Sequence, residues 1–282
     1  MSRDITNEYG KRIKKLDTIY IGYDPRENKA VNVLIDSIER HASRPINIVT
    51  INELALRRVG LYRRAPDISS TCWADGEPGD MIDAFDKRPF STAFSFSRFL
   101  TPFLNQLEGL ALFMDSDMYF RSDPCELFDS FATEGGPAVW CVKHGYDNGG
   151  STIGGDKFGY GEGRKMYGCP QTSYSRKNWS SFVLWNCGHP ANKRLTVDDA
   201  NTKPGGWLHK FSWLDDSEIG ALPEKWNWLD GHSDERIEPA NVHFTTGGPW
   251  FANTGWKPLR DIDEKYAKEW IELSKAIPDE RS

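Results

Sequence analysis

A chain of 282 residues, 38% hydrophobic and 27% charged, has the composition of an ordinary globular protein and length enough for a substantial core. A net charge of -6 argues against a wholly basic nucleic-acid binder, and no apolar run approaches membrane-spanning length. The charged N-terminus, MSRDITNEYGKRIKK, lacks the apolar stretch of a secretion signal. Five cysteines, widely spaced and never CxxC, suit neither a disulfide framework nor a zinc site, so buried thiols in a reducing cytoplasm are expected.

In chain order, DTIYIGY (Asp17–Tyr23) reads as a buried first strand. Val31, Leu34, Ile35 and Ile38 follow at helical spacing, closing near His41. INIVTIN (46–52) is a second strand, so the opening is a βαβ unit and the sheet is parallel there. LRRVGLYRR (56–64) reads as a solvated basic face, and 65–90, rich in Pro, Asp and Gly, as a loop over the sheet. Phe96, Phe99, Leu100 and Phe103 share a helical face from which Arg98 points away. LALFM (110–114) is the next strand. DPCE then supplies an N-cap at Asp123 and a proline at the first helical position. AVWCVKH (138–144) is a strand, about 145–178 a long glycine- and tyrosine-rich loop, and SSFVLWNC (180–187) a strand again. NVHFTTGGPWF (241–251) ends a strand with a histidine. Tyr266, Trp270, Leu273 and Ile277 mark an amphipathic closing helix over about 262–277. There is no internal repeat. The expectation is one α/β domain over 1–282, with a mixed, mainly parallel central sheet flanked by helices.

Asp115 and Asp117 stand directly after the apolar run 110–114. In extended backbone, residues i and i+2 face the same way, so both carboxylates can address one hard cation. In open α/β sheets the ligand crevice lies at the carboxyl ends of the strands, which is where these residues fall. A haloacid-dehalogenase phosphatase would need a threonine or valine two residues beyond the second aspartate, where Tyr119 stands.

The stretch FSFSRFLTPFLNQLEGLALFMDSDMYFRSDPCELF (94–128) resembles the core of glycosyltransferase family 8. There an arginine-bearing helix precedes a strand ending in DxD, and a capped helix follows. WSSFVLWN, DDSEIGALPEKWNWL and VHFTTGGPW continue in that family's order, so the resemblance spans roughly 17–250. It implies a GT-A (Rossmann-like) fold, a nucleoside-diphosphate-sugar donor, UDP-linked in the usual case, and manganese or magnesium. By matching position, Asp115, Asp117 and His243 are the implied metal ligands. Arg98 steers the donor sugar or phosphate, and Asp216, or equally Asp215, stands at the reacting carbon. Tyr20, Gly22, Tyr23 and Asp24 at the end of the first strand, with Ser116 and Gly247, are the expected nucleotide contacts. Trp179 and Ser181 replace the family's asparagine and glycine. Gly248 stands where its phosphate-binding lysine does, with Lys257 as a substitute.

The leading expectation is a metal-dependent glycosyltransferase acting with retention. A nucleotidyltransferase would show a glycine-rich basic loop after the first strand, and YDPRENKA is not one. A non-catalytic nucleotide-sugar binder is supported only by the missing lysine. The acceptor hydroxyl is left open among carbohydrate, lipid-linked and nucleic-acid carriers. For a DNA base acceptor, Arg57, Arg58, Arg63 and Arg64 with Arg164, Lys165, Arg176 and Lys177 are the candidate phosphate contacts. Trp207, Trp213, Trp226 and Trp228 suit sugar stacking or a hydrophobic core equally. Oligomeric state is not legible.

Overall fold

The computed structural model describes residues 16–65, 81–144, 164–165, 169–170, 176–251 and 265–277. In chain order its elements begin with β1 (Thr18–Gly22), α1 (Asn28–His41), β2 (Asn47–Ile51), α2 (Glu53–Arg58), β3 (Met81–Ile82), β4 (Pro89–Phe90) and α3 (Thr101–Leu104). Then come β5 (Leu110–Met114), β6 (Met118–Phe120), α4 (Cys125–Ser130), β7 (Val139–Cys141), β8 (Arg164–Lys165), β9 (Cys169–Pro170) and β10 (Phe182–Asn186). The last are α5 (Val197–Thr202), α6 (Gly205–His209), β11 (Ile219–Ala221), β12 (Trp228–Leu229), β13 (Asn241–His243) and α7 (Lys265–Lys275).

Six strands form the central sheet in the order β11-β7-β10-β5-β1-β2. Only β10 runs against its neighbours, so the sheet is mixed and mainly parallel. Its central strands are apolar throughout because both faces are covered. The period-two alternation of a strand divides their side chains between two cores. Tyr20, Ala111, Phe113, Val183 and Trp185 face one, packed with Phe94, Phe99, Phe211 and Trp213. Ile19, Ile21, Leu112, Met114, Phe182 and Leu184 face the other, against Leu34 and Ile38 of α1. A second sheet, β12-β13-β6, stands beside the carboxyl end of β5. The Ser37 hydroxyl ties it to α1, accepting from the Phe120 amide at 3.0 Å.

Most elements fall where the periodicity puts them, with two corrections. The 94–104 segment is not one amphipathic helix. A 3-10 turn over Ser97–Leu100 precedes α3, and it turns Arg98 inward until only 6% of it is exposed. The basic 56–64 stretch is not a free cationic face. Arg57 pairs with Glu53, Arg63 with Asp198 at 2.9 Å, and Arg64 with Asp83 at 2.6 Å in a fully buried ion pair. The tryptophans belong to packing: Trp213, Trp226 and Trp228 are buried, and Trp207 packs on the Trp213 ring. Cys125 and Cys141 are buried free thiols, and Cys187 is buried. No described helix is long and apolar enough to cross a membrane.

Candidate active site

The carboxyl end of β5 delivers Asp115, Ser116 and Asp117 into the short turn before β6. β13 runs antiparallel to β6, pairing His243 with Met118, and so brings the imidazole alongside the two carboxylates. Asp115, Asp117 and His243 each offer a ligand atom, and these lie within 4.8 Å of one another. His243 Nε2 is 3.2 Å from Asp117 Oδ1. Two carboxylate oxygens and one imidazole nitrogen, nearly closed off from water, suit a hard or borderline divalent ion, manganese and magnesium included.

Backbone and side chains around the triad fix its shape. The Asp115 amide donates to the Ser181 carbonyl at 2.9 Å, and the Phe244 amide to the Asp117 carbonyl at 2.8 Å. The Arg98 guanidinium lies 2.7 Å from Asp115 Oδ1 and donates to the Ser180 carbonyl at 3.0 Å. It sits between the Phe94 and Phe113 rings, each 5.1 Å away. Asn227, the last residue of EKWN, places its amide oxygen 2.8 Å from His243 Nδ1. An N–H at Nδ1 donating to that oxygen leaves the Nε2 lone pair directed at the carboxylates. The Asn227 amide nitrogen donates in turn to Ser181 Oγ at 3.1 Å.

Ser116 does not face the crevice as expected. Its side chain turns to the opposite side from its two neighbours, as extended backbone requires, and bonds Glu27 at 2.6 Å. Glu27 has no exposed surface, and Oε1 has no hydrogen-bond partner among the described residues. Burial, with Asp117 and Asp24 nearby, holds its carboxyl well above the usual range.

A cleft open to solvent runs from Asp115 and Asp117 past Asn178, Ser180 and Thr245 to Phe96 and His209 of α6. His209 Nδ1 is 2.7 Å from Ser180 Oγ, and Phe99 packs edge-on against the ring at 5.2 Å. Burial first, then Arg98 and Lys177, holds this imidazole well below its ordinary range and keeps it neutral.

Other expected contacts lie elsewhere. Tyr20 is buried in mid-strand, its hydroxyl 3.4 Å from Asn105 Oδ1 and pushed up to about 12 by burial. Gly22 is required by packing, because a Cβ there would lie 2.3 Å from the Phe94 ring. The Tyr23 hydroxyl meets Asn28 at 3.3 Å. Asp24 is fully buried, pairing with Arg26 at 2.6 Å and accepting from the Ala93 amide at 2.9 Å, so it clamps the loop lining the cleft. Gly247 is buried at a positive φ of 104° in the turn after His243. Asp215 and Asp216 are not brought to the triad. They precede β11, whose carboxyl end points to the crevice, and their side chains are 80% and 88% exposed beside Arg194 and Arg176. Lys257 lies outside the described residues.

This architecture is that of the GT-A-type glycosyltransferases. Solved structures of similar fold include the bifunctional glycosyltransferase WbbM, at 15% identity and a TM-score of 0.56 over 94% of this chain. Galactosyltransferase LgtC, solved with donor and acceptor sugar analogues, matches at 15% identity and a TM-score of 0.51, covering 93% of this chain and 98% of LgtC. GlyE of Streptococcus pneumoniae matches at 14% and 0.50 over 92% of this chain. The chain spans 50% of the WbbM chain and 60% of the GlyE chain. No protein-family model matches. The chain belongs to the family of Protein CDI of Arabidopsis thaliana, to which it is 41% identical over 271 residues, 92% of this chain and 91% of that protein.

The Asn227 contact predicts that Asn227→Ala weakens manganese binding by about 10- to 100-fold, read by titration against the free-ion paramagnetic resonance signal. Wild-type affinity in that variant would show that His243 needs no such partner. A second expectation concerns pH. Burial, reinforced by His243, pulls His144 down to about 4 from an ordinary 6.5. The unfolded chain binds this proton below pH 6.5 and the folded chain only near 4, so acidification through that window favours unfolding. His144→Gln should therefore flatten stability across it, by on the order of 3 kcal/mol, in urea titrations at successive pH values. Parallel curves for variant and wild type would contradict this.

Proposed function

We propose that this chain is a metal-dependent glycosyltransferase that moves a sugar from a nucleoside-diphosphate donor, UDP-linked, to a hydroxyl acceptor with retention at the anomeric carbon. The observation that carries the reading is the Asp115–Asp117–His243 triad, held beside an open cleft at the carboxyl end of a sheet of glycosyltransferase type. Retention and the uridine base rest on the resemblance of the sequence segments alone.

Each side chain has a task under this reading. A divalent ion, when bound, supplies Lewis-acid stabilisation of the charge that develops on the leaving diphosphate. Asp115, Asp117 and His243 hold it, and Asn227 keeps the imidazole in the tautomer that can do so. Arg98 holds the Asp115 carboxylate in place while fixing the Ser180 carbonyl, and so keeps the cleft wall registered to the triad. The neutral His209 and the Ser180 hydroxyl offer a hydrogen-bonding pair in that wall, suited to sugar hydroxyls. A nucleic-acid acceptor loses support because Arg57, Arg63 and Arg64 are engaged within the chain. A carbohydrate or lipid-linked acceptor is the reading kept.

Thermal melting with UDP, GDP and ADP, with and without manganese, tests the proposal. One diphosphate should raise the melting temperature by several degrees in the presence of metal. A hundredfold excess over Kd corresponds to about 2.7 kcal/mol. Asp117→Asn should abolish the shift. A shift independent of metal and of Asp117, or none with any nucleotide, would sink the donor-site reading.

A further inference from the structure

Two carboxylates balance the charge of one divalent ion, so the triad leaves no positive charge over for a diphosphate. A further cation of the chain has to meet it. The sequence position expected to supply one is Gly248, and packing closes it. A Cβ at Gly248 would lie 2.0 Å from the Trp250 ring. That ring is wedged between Phe244 at 5.8 Å, Phe251 at 5.4 Å and Trp270 at 5.2 Å, so it cannot yield cheaply to a longer side chain.

Among the described residues the cleft beside the triad is lined by three cations, Arg88, Arg98 and Lys177. Arg98 is engaged with Asp115 and the Ser180 carbonyl between two phenylalanine rings. Arg88 is exposed at the hairpin of β3 and β4, on the wall that meets α6. Lys177 is half-buried and belongs to the segment that builds the triad's own surroundings. Its neighbour Asn178 gives its carbonyl to Ser181 Oγ at 2.7 Å and to the Asn227 amide at 3.4 Å, and Asn227 in turn holds His243. Four residues beyond Lys177, the Ser181 carbonyl receives the Asp115 amide.

The backbone presenting Lys177 is also unusual. Arg176 and Asn178, on either side of it, both adopt left-handed conformations, with φ of 62° and 63°. Non-glycine residues occupy that region at a cost, and two such residues flanking a third persist only where their surroundings hold them. Here Arg176 donates to the Lys210 carbonyl at 2.6 Å, packs over the Trp179 ring at 5.2 Å and pairs with Asp216. Asp216 thereby acquires a place in the site without approaching the triad. The Lys177 charge reaches the interior of the cleft, since it contributes to keeping His209 neutral.

We propose that Lys177 is the diphosphate-binding cation of this chain, entering the site from the turn before β10 in place of a lysine after His243. The inference rests on reading the cleft as a nucleotide-sugar donor site. It deepens that reading by naming the group that grips the leaving phosphates.

Isothermal titration separates the two. The probes are manganese alone, then inorganic pyrophosphate and UDP in the presence of manganese, with wild type, Lys177→Ala, Lys177→Arg, Arg88→Ala, Lys257→Ala and Asp117→Asn. A charged hydrogen bond to phosphate corresponds to about a 10- to 100-fold change in affinity. Lys177→Ala should lose that much for pyrophosphate and UDP and keep its affinity for manganese, and Lys177→Arg should recover part of the loss. Wild-type pyrophosphate and UDP affinity in Lys177→Ala, with binding lost in Asp117→Asn, would overturn the inference and leave the function reading standing. A loss found in Lys257→Ala or Arg88→Ala but absent from Lys177→Ala would overturn it likewise. Wild-type protein that binds neither pyrophosphate nor UDP would overturn both.

Discussion

The placement of two carboxylates one residue apart, at the end of a strand buried on both faces, is the constraint to which the rest of the site responds. Asp115 and Asp117 are almost closed off from water, where like charges repel strongly and lose hydration. The chain answers from several directions. Arg98, buried between two aromatic rings, approaches Asp115. Below them burial, with Asp117 and Asp24 nearby, pushes the Glu27 carboxyl well above its usual range. Backbone bonds from Asp115 to Ser181 and from Phe244 to Asp117 lock the turn to β10 and β13. Such concentrated, incompletely compensated negative charge is an arrangement that a divalent ion completes.

The surrounding architecture follows from the same strand. Because β5 alternates, Leu112 and Met114 face α1 while Ala111 and Phe113 face the aromatic core that carries Arg98 and His209. The two cores therefore fix the aspartate turn from both sides of the sheet. Asp24 and Arg26 then tie the end of β1 to the loop at Ser91 and Ala93, which forms part of the cleft wall. Rigidity of the site is thus a property of the sheet rather than of the loops.

Much of this was legible in the sequence, and for identifiable reasons. LALFM is bounded by glycine and aspartate on a continuous apolar run, and the strand occupies those residues. The helix with Val31, Leu34 and Ile38 buried also follows from spacing alone. The carboxylate pair was legible because side-chain direction in a strand is fixed by parity, whereas His243 was placed by the resemblance of its motif and its order in the chain. Where the chain turns sharply, direction cannot be read. The 3-10 turn at Ser97–Leu100 changes the angular step per residue and swings Arg98 into the core. Ser116 was expected among the nucleotide contacts, although parity assigns it to the other side of the strand from Asp115 and Asp117. Asn227 and Glu27 carried no local signal. Their positions depend on contacts to residues 16 and 89 positions away in the chain. Asp215 and Asp216 were placed by order of motifs, and the structure leaves their side chains exposed beside Arg194 and Arg176.

The central claim is that one divalent ion is shared between this triad and a diphosphate. Pulsed paramagnetic resonance of manganese bound together with UDP tests it most directly. The account predicts that a single ion shows both an imidazole nitrogen coupling and phosphorus couplings, with the nitrogen coupling lost in His243→Ala. Phosphorus couplings with no histidine nitrogen, or a nitrogen coupling that survives loss of His243, would place the ion elsewhere and contradict the account.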